Sequence, residues 1–343
     1  MSKSVTMSDI AKVMNVSTVT VSKALSGQKG VSEDLRAKII RQAEEMGYQT
    51  SRAVYLEQLK NNTSYNIGVL VSDKFLDVYD SFYWKLYQET TKAAVQKKCF
   101  TMLEVLQAED EQQYVMPKLL QENKADGLII IGLLEEEYLK RLHEYAKVPI
   151  LYLDFYSKDK DCDAVISDSY YGMYKMTDYL FRIGHKEIGF VGSILATGSI
   201  TDRYCGYLKA LLEHGVEVKK DWVLEDRDVR SGRTDTGFEI KLPDKMPTAF
   251  VCNCDVAAAL LIRKLKEKGY RVPEDISVVG YDNYQPPGLC EIPITSYEVD
   301  MYGMAKQAIK KMIRKISGGH YRQGVVIVEG RIQYKDSAAE RKA

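Results

Sequence analysis

Residues 5–25 read VTMSDIAKVMNVSTVTVSKAL, and the way this stretch is punctuated decides the fold of the N-terminal region. Thr6-Met7-Ser8-Asp9 has the spacing of a capping box, in which a hydroxyl and an acid three residues on satisfy free amides at a helix start. It stands ahead of Ile10, Ala11 and Val13, so a first helix is expected from Met7 to about Met14. Asn15-Val16 makes the turn, and Ser17 caps a second helix reaching Leu25. There Val21, Ala24 and Leu25 form the buried stripe and Thr18, Val19, Ser22 and Lys23 point outward. Beyond a loop over 26–30, Ser32 caps a third helix. Glu33 and Asp34 lie at its positive end, Leu35, Ile39, Ala43 and Met46 face inward, and Gly47 is the stop. The first 48 residues thus read as three short helices, two of them joined by a tight turn.

Working outward, the texture changes at Tyr65 to apolar runs alternating with amphipathic helical stretches, the signature of βαβ units. The runs are 66–71, 99–106, 127–132, 149–153, 164–167, 187–191, 249–252 and 277–280. Two parallel-sheet lobes are expected, with Gln285-Pro286-Pro287-Gly288 as a crossover between them. The domains expected are 1–48, a linker over 49–64, a two-lobed body over 65–337 and a polar tail over 338–343. The fold class is α/β.

Composition narrows the function. The chain has 343 residues with 48 basic and 48 acidic side chains, so net charge argues neither for nor against a polyanionic partner. Its distribution is uneven: residues 1–62 hold nine basic against six acidic side chains. The first residues lack the apolar stretch of a signal peptide, and the longest apolar run, 127–134, is too short to span a bilayer. A cytoplasmic protein without a membrane partner is expected. Six scattered cysteines fit reduced thiols, and Cys252-Asn253-Cys254 has no partner pair at metal-ligand spacing. Neither metal nor cofactor is expected. Nucleophile elbow, Walker loop, HExxH helix and GxGxxG turn are all absent from the sequence, which argues against an enzyme and against any catalytic residue.

Thr18 and Val19 at the start of the second helix, with Lys23 one turn on, set methyl and hydroxyl surface beside a cation. This suits a helix entering the major groove end-first, and a solvated helix face is the plain alternative. The stretch 5–25, with Val31-Ser32 and Met46-Gly47-Tyr48, closely resembles the opening of LacI/GalR-family repressors. The resemblance implies that Thr18, Val19 and Lys23 read bases of palindromic double-stranded operator DNA while Ser17, Thr20 and Ser22 lie near phosphates. It also implies a hinge helix that wedges a leucine into the minor groove, Leu56 or Leu59 here. Thr50, Glu57 and a slightly long spacing depart from the usual hinge, leaving a dimer-contact or flexible linker as the other reading.

The same resemblance covers 65 to about 337 through Gly184–Gly192, Asp202–Tyr207 and Pro273–Asp282. It implies a periplasmic-binding-protein-like body of two Rossmann-like lobes closing on a small-molecule effector, a sugar or sugar derivative, at the strand ends. Arg203 and Asp282 match the family's ligand-gripping pair, with an interlobe salt bridge as their plain alternative. Asp154, Phe82, Tyr83, Phe155 and Asp255 are further effector-binding candidates, with helix capping or core packing as their plain alternatives. The family's Asn-Asp pair reads Cys254-Asp255 here, with Asn253 displaced by one. A segment expected to bring a cleft aromatic is arginine-rich instead (Arg227, Arg230, Arg233). These arginines are expected as solvated surface, although they leave room for a phosphate- or carboxylate-bearing effector. His185 is expected to pack structurally.

The function expected is therefore a homodimeric, effector-controlled transcriptional repressor, dimeric because the polar 335–343 stretch lacks a leucine heptad. The alternatives are a regulator that senses a partner protein and a sugar-binding protein without DNA function.

Overall fold

The computed structural model describes residues 5–25, 30–46, 48, 64–76, 81–157, 163–227, 238–285 and 288–341. The chain divides into two compact units, Met1–Ser64 and Tyr65–Ala343.

In the first unit α1 spans Met7–Met14, α2 Thr18–Leu25 and α3 Glu33–Glu45. The Thr6 amide and hydroxyl both donate to Asp9 Oδ2, at 2.9 and 2.6 Å. Asn15 ends α1 in the left-handed region, φ 50°, and its N–H closes on Ala11 and Lys12. Asparagine tolerates that region better than most residues, which makes the turn tight. Ile10, Ala11, Val21, Ala24, Ile39 and Ala43 meet in one small core, while Val13 faces solvent. Gly47 lies outside the described residues.

The second unit holds two six-stranded sheets. The first lobe contains β1 (Asn66–Ser72), β2 (Phe100–Leu106), β3 (Gly127–Ile131), β4 (Ile150–Leu153) and β5 (Ala164–Ser167), with α4 (Phe82–Gln96) and α5 (Glu136–Tyr145). The second contains α6 (Ser169–Arg182), β6 (Ile188–Val191), α7 (Gly198–Glu213), β7 (Val223–Leu224), β8 (Ala249–Cys252), α8 (Asp255–Glu267), β9 (Ser277–Asp282) and β10 (Thr295–Glu298). The chain then returns through α9 (Met301–Ile316) and β11 (Val325–Val328) to the first lobe, and through β12 (Arg331–Gln333) to the second. The sheet orders are β11-β5-β4-β3-β1-β2 and β12-β10-β9-β8-β6-β7, parallel throughout except for β12 against β10. Strands covered by helices on both faces are apolar along their whole length, as β3 (GLIII, all buried) illustrates.

Two expectations need correction. The chain passes between lobes at Ser167–Ser169, at Glu298–Met301 and at Val328–Arg331, not at 285–288. The chain between Asp282 and Thr295 joins β9 to β10, which are neighbours in one sheet; whether a connection changes lobe is set by strand pairing. Nor do residues 338–341 behave as a separate tail. Ala339 and Arg341 donate backbone bonds to Ser277 Oγ and Ile183 O, and His185 contacts Thr248, Ser277 and the Ala339 carbonyl. Burial lowers the His185 pKa, so the ring is a neutral packing element. Among the described residues no helix is long and apolar enough to cross a membrane.

Candidate functional site

In the first unit α2 presents an exposed face. Ser17 Oγ accepts from the Thr20 amide at 3.1 Å and lies 2.8 Å from Thr20 Oγ1, so the two hydroxyls close the helix start together. Val21 and Ala24 are buried, and Thr18, Val19, Ser22 and Lys23 are exposed, Val19 to 60%. Arg36 on α3 was not singled out by sequence reading: its Nη1 donates to the carbonyls of Lys23 and Ala24, at 3.2 and 3.1 Å, closing the far end of α2. The only signal for it is a cation placed to meet a helix C-terminus, which sequence spacing across a loop does not reveal. Leu56 and Leu59, and the whole 49–63 stretch, lie outside the described residues.

In the second unit the C-terminal strand ends of the two lobes face each other. From the first lobe come Asp154 and Phe155, just past β4, and Phe82 and Tyr83 in the first turn of α4, where Ser81 caps the Trp84 amide at 3.1 Å. Phe75 lies 4.5 Å from Tyr83 between ring centroids, Phe155 stacks on Tyr152 at 4.4 Å, and the Tyr83 hydroxyl bonds the Asp154 carboxyl. Ser167, Ser169, Thr197 and Ser199 add hydroxyls around the same space. Tyr156 donates to Asp202 across the cleft at 3.2 Å, and Phe82 meets Tyr284 edge-on at 6.4 Å, so the lobes stand close together.

Arg203, on α7, is the charged centre of the second lobe. It is 6% exposed; Nη1 donates to Asn253 O at 2.5 Å, Nη2 to Asp282 Oδ1 at 3.3 Å, and the guanidinium lies 3.8 Å over the Tyr281 ring. Its Nε is buried with no hydrogen-bond partner, and an unsatisfied buried donor is costly enough to call for an acceptor. Burial opposes the charge on Arg203, and Asp282, Tyr281, Asp154 and Cys254 together outweigh it and raise the pKa. Burial pushes Asp154 up to about 7 and Asp282 up to about 6, with Arg203 pulling against both. Both acids sit at positive φ, 72° and 96°, backbone rarely adopted by non-glycine residues and concentrated at ligand clamps.

Asp255 stands apart from this group. It is fully buried; Oδ1 accepts from Ser296 at 2.6 Å and Oδ2 from the Tyr284 amide at 2.7 Å, and burial pushes its pKa up to about 8. One oxygen holds strand β10 and the other the loop after β9, both in its own lobe. Arg227 is not the solvated surface side chain expected. It is 11% exposed and paired with buried Asp226 at 2.6 Å, reaching Asn253 Oδ1 at 3.3 Å. Asn253 in turn donates to Asp226 and to Val191 O, so the displaced amide serves this buried pair. Cys254 caps α8, its sulfur accepting from Ala257 N, and burial pushes its thiol up to about 12, which makes it inert. Arg230 and Arg233 lie outside the described residues. Among the described residues no group of acidic, histidine or cysteine side chains is arranged to hold a metal.

Comparison with known proteins agrees with this geometry. Residues 6–51 match the family model of bacterial regulatory proteins, lacI family, and residues 177–338 match that of the periplasmic binding protein-like domain. The chain is 28% identical over 322 residues to the HTH-type transcriptional repressor PurR of Aliivibrio salmonicida, covering 93% of this chain and 95% of that one. It is 26% identical over 341 residues to the PurR of Pasteurella multocida, covering 98% and 99%. Among solved structures it resembles the lac repressor dimer bound to operator and the anti-inducer ONPF, with TM-score 0.64, 23% identity and coverage of 98% and 100%. It also resembles the transcriptional regulator CelR in complex with cellobiose, with TM-score 0.67, 21% identity and coverage of 97% and 100%. With a capped, exposed α2 in one unit and two parallel-sheet lobes in the other, the chain carries a DNA-binding domain of the bacterial regulatory proteins, lacI family, over 6–51 and a periplasmic-binding-protein-like domain over 177–338.

Proposed function

We propose that this regulator is a cytoplasmic homodimer that reads a palindromic operator with α2 and is controlled by a sugar or sugar derivative held between its lobes. Thr18, Val19 and Lys23 contact base edges, Ser17, Thr20 and Ser22 approach phosphates, and residues 49–64, with Leu56 or Leu59, form the hinge. A second copy of the chain covers the face where α4 meets the sheet edge β2. Val95 and Phe100 are exposed there to 64% and 65%, and an apolar edge strand left open invites pairing.

The observation that carries the effector reading is Arg203. A buried guanidinium, clamped by Asp282 and left with a free Nε, interacts electrostatically with Tyr83 and Asp154, which line the cleft together with Phe75, Phe155 and several hydroxyl-bearing residues. Bidentate donors, carboxylate acceptors and an aromatic face are what a polyhydroxylated ring requires. The CelR structure, named as a cellobiose complex, supports this ligand class.

A thermal-shift screen of the full chain against mono- and disaccharides and their phosphates tests it. A ligand at about 100 times its Kd adds about 2.7 kcal/mol of stability. The expected result is a saturable rise in Tm that Asp282→Asn abolishes; no shift with any sugar or sugar phosphate contradicts the assignment. A response to sugar phosphates alone points to Arg227 and its neighbours as a further anion contact.

A further inference from the structure

The tyrosines Tyr281 and Tyr297 belong to no part of the binding site assigned above, yet they stand between Arg203 and every crossover segment. The Tyr281 ring lies under the Arg203 guanidinium at 3.8 Å and packs on Tyr297 at 5.0 Å between centroids. Both rings are fully buried. The Tyr281 hydroxyl donates to Asp168 O at 2.9 Å, on the first crossover, and the Tyr297 hydroxyl accepts from Gly330 N at 2.9 Å, on the third.

The glycines around the pair show how closely the crossovers are packed. A Cβ at Gly330 would stand 2.0 Å from Glu298 O, which opens the second crossover, and 2.7 Å from Tyr297. A Cβ at Gly172, in the first turn of α6, would stand 2.7 Å from Tyr297 and 2.8 Å from the Tyr281 hydroxyl. The Asp168 amide also donates to Val328 O at 3.1 Å, tying the first crossover to the third. Two rings, two hydroxyls and two side-chain-free approaches thus join the gripping arginine to all the segments about which the lobes turn.

We propose that Tyr281 and Tyr297 are positioning residues that relay the position of Arg203 to the three crossovers, so that an acceptor taken up by Arg203 resets the angle between the lobes. Hinge segments absorb lobe motion in a few backbone positions, and a contact that biases those positions from the binding site supplies the physical coupling that a mere path of neighbours does not. The cation against the Tyr281 face and the offset stack on Tyr297 hold both rings in one orientation, and the hydroxyls fix that orientation onto the backbone. The relay rests on the reading of Arg203 as the effector-gripping group.

Amide hydrogen exchange of the full chain without any ligand tests the relay separately from that reading, because a failed sugar screen leaves the exchange pattern unchanged. Arg203→Ala touches no crossover directly. The expected result is that it raises exchange about tenfold across 166–172 and 328–333, that Tyr281→Phe does the same, and that the double variant goes no further than either. Tyr207→Phe is the control: it also removes one buried hydroxyl, bonded at 2.9 Å to Ile188 O within the second lobe, and is expected to leave the crossovers at the wild-type rate. If Tyr281→Phe does not fold, Tyr297→Phe replaces it, read at 328–333. Wild-type crossover exchange in Arg203→Ala, additive effects in the double variant, or the same pattern from Tyr207→Phe overturns the relay.

Discussion

The carboxyls of Asp154, Asp255 and Asp282 are pushed by burial to about 7, 8 and 6, whereas an aspartate in an unfolded chain titrates near about 3.9. Between those limits the folded chain holds protons that the unfolded chain has released. Their contribution is full below about pH 4 and is lost as pH rises through 6 to 8. Asp163 and Asp226, whose pKa values are lowered despite burial by their lysine and arginine partners, act in the opposite sense and only under acid conditions. The Tm of the full chain is therefore expected to fall from pH 5 to pH 8.5, and Asp154→Asn to flatten that slope around neutrality; an unchanged slope in the variant removes Asp154 from the account. On the DNA side, Lys23→Ala is expected to weaken operator binding and relax base preference at one position in each half-site, and an unaltered binding logo contradicts that role. Arg203 and Asp282 were legible because short motifs surround them. Arg227 was not: an arginine in a polar segment looks solvated until Asp226, its neighbour in sequence, is seen to be buried with it.

Elements whose signals are local came through almost residue for residue. Capping and turn chemistry placed α1 and α2, since Thr6, Asn15 and Ser17 act within one turn of themselves. What eluded the pattern is non-local. β7 and β12 have only two and three residues, and the apolar β11 lies outside the βα alternation because it returns to the other lobe. Arg36 belongs to this class, closing α2 from another helix. Arg36→Ala is expected to cost the N-terminal unit about 1 kcal/mol, the usual worth of such bonds at a half-open site, with weaker operator binding, as urea unfolding and anisotropy would measure. The crossing of α6 and α7 turns on Gly206, where a Cβ would stand 2.1 Å from Tyr170 O. A backbone atom cannot swing aside, so Gly206→Ala is expected to destabilise the second unit by about 3 kcal/mol or more. A Tm within a degree of wild type would mean that the helices slide freely.

At the scale of the whole molecule, a two-unit chain with an exposed apolar face on α4 and β2 is expected to sediment as a dimer, and Phe100→Asp to shift it toward monomer. A concentration-independent tetramer or monomer of the wild type contradicts this. Two-fold symmetry in the protein implies two-fold symmetry in what it reads, which makes the operator the most direct witness of the account. The measurement is selection of bound sequences from a random duplex pool by the purified full chain at fixed salt, since non-specific affinity varies steeply with salt. The account predicts enrichment of a palindrome whose half-sites lose definition when Thr18 and Val19 are both replaced by alanine. A pool that emerges no different from its starting composition would contradict it.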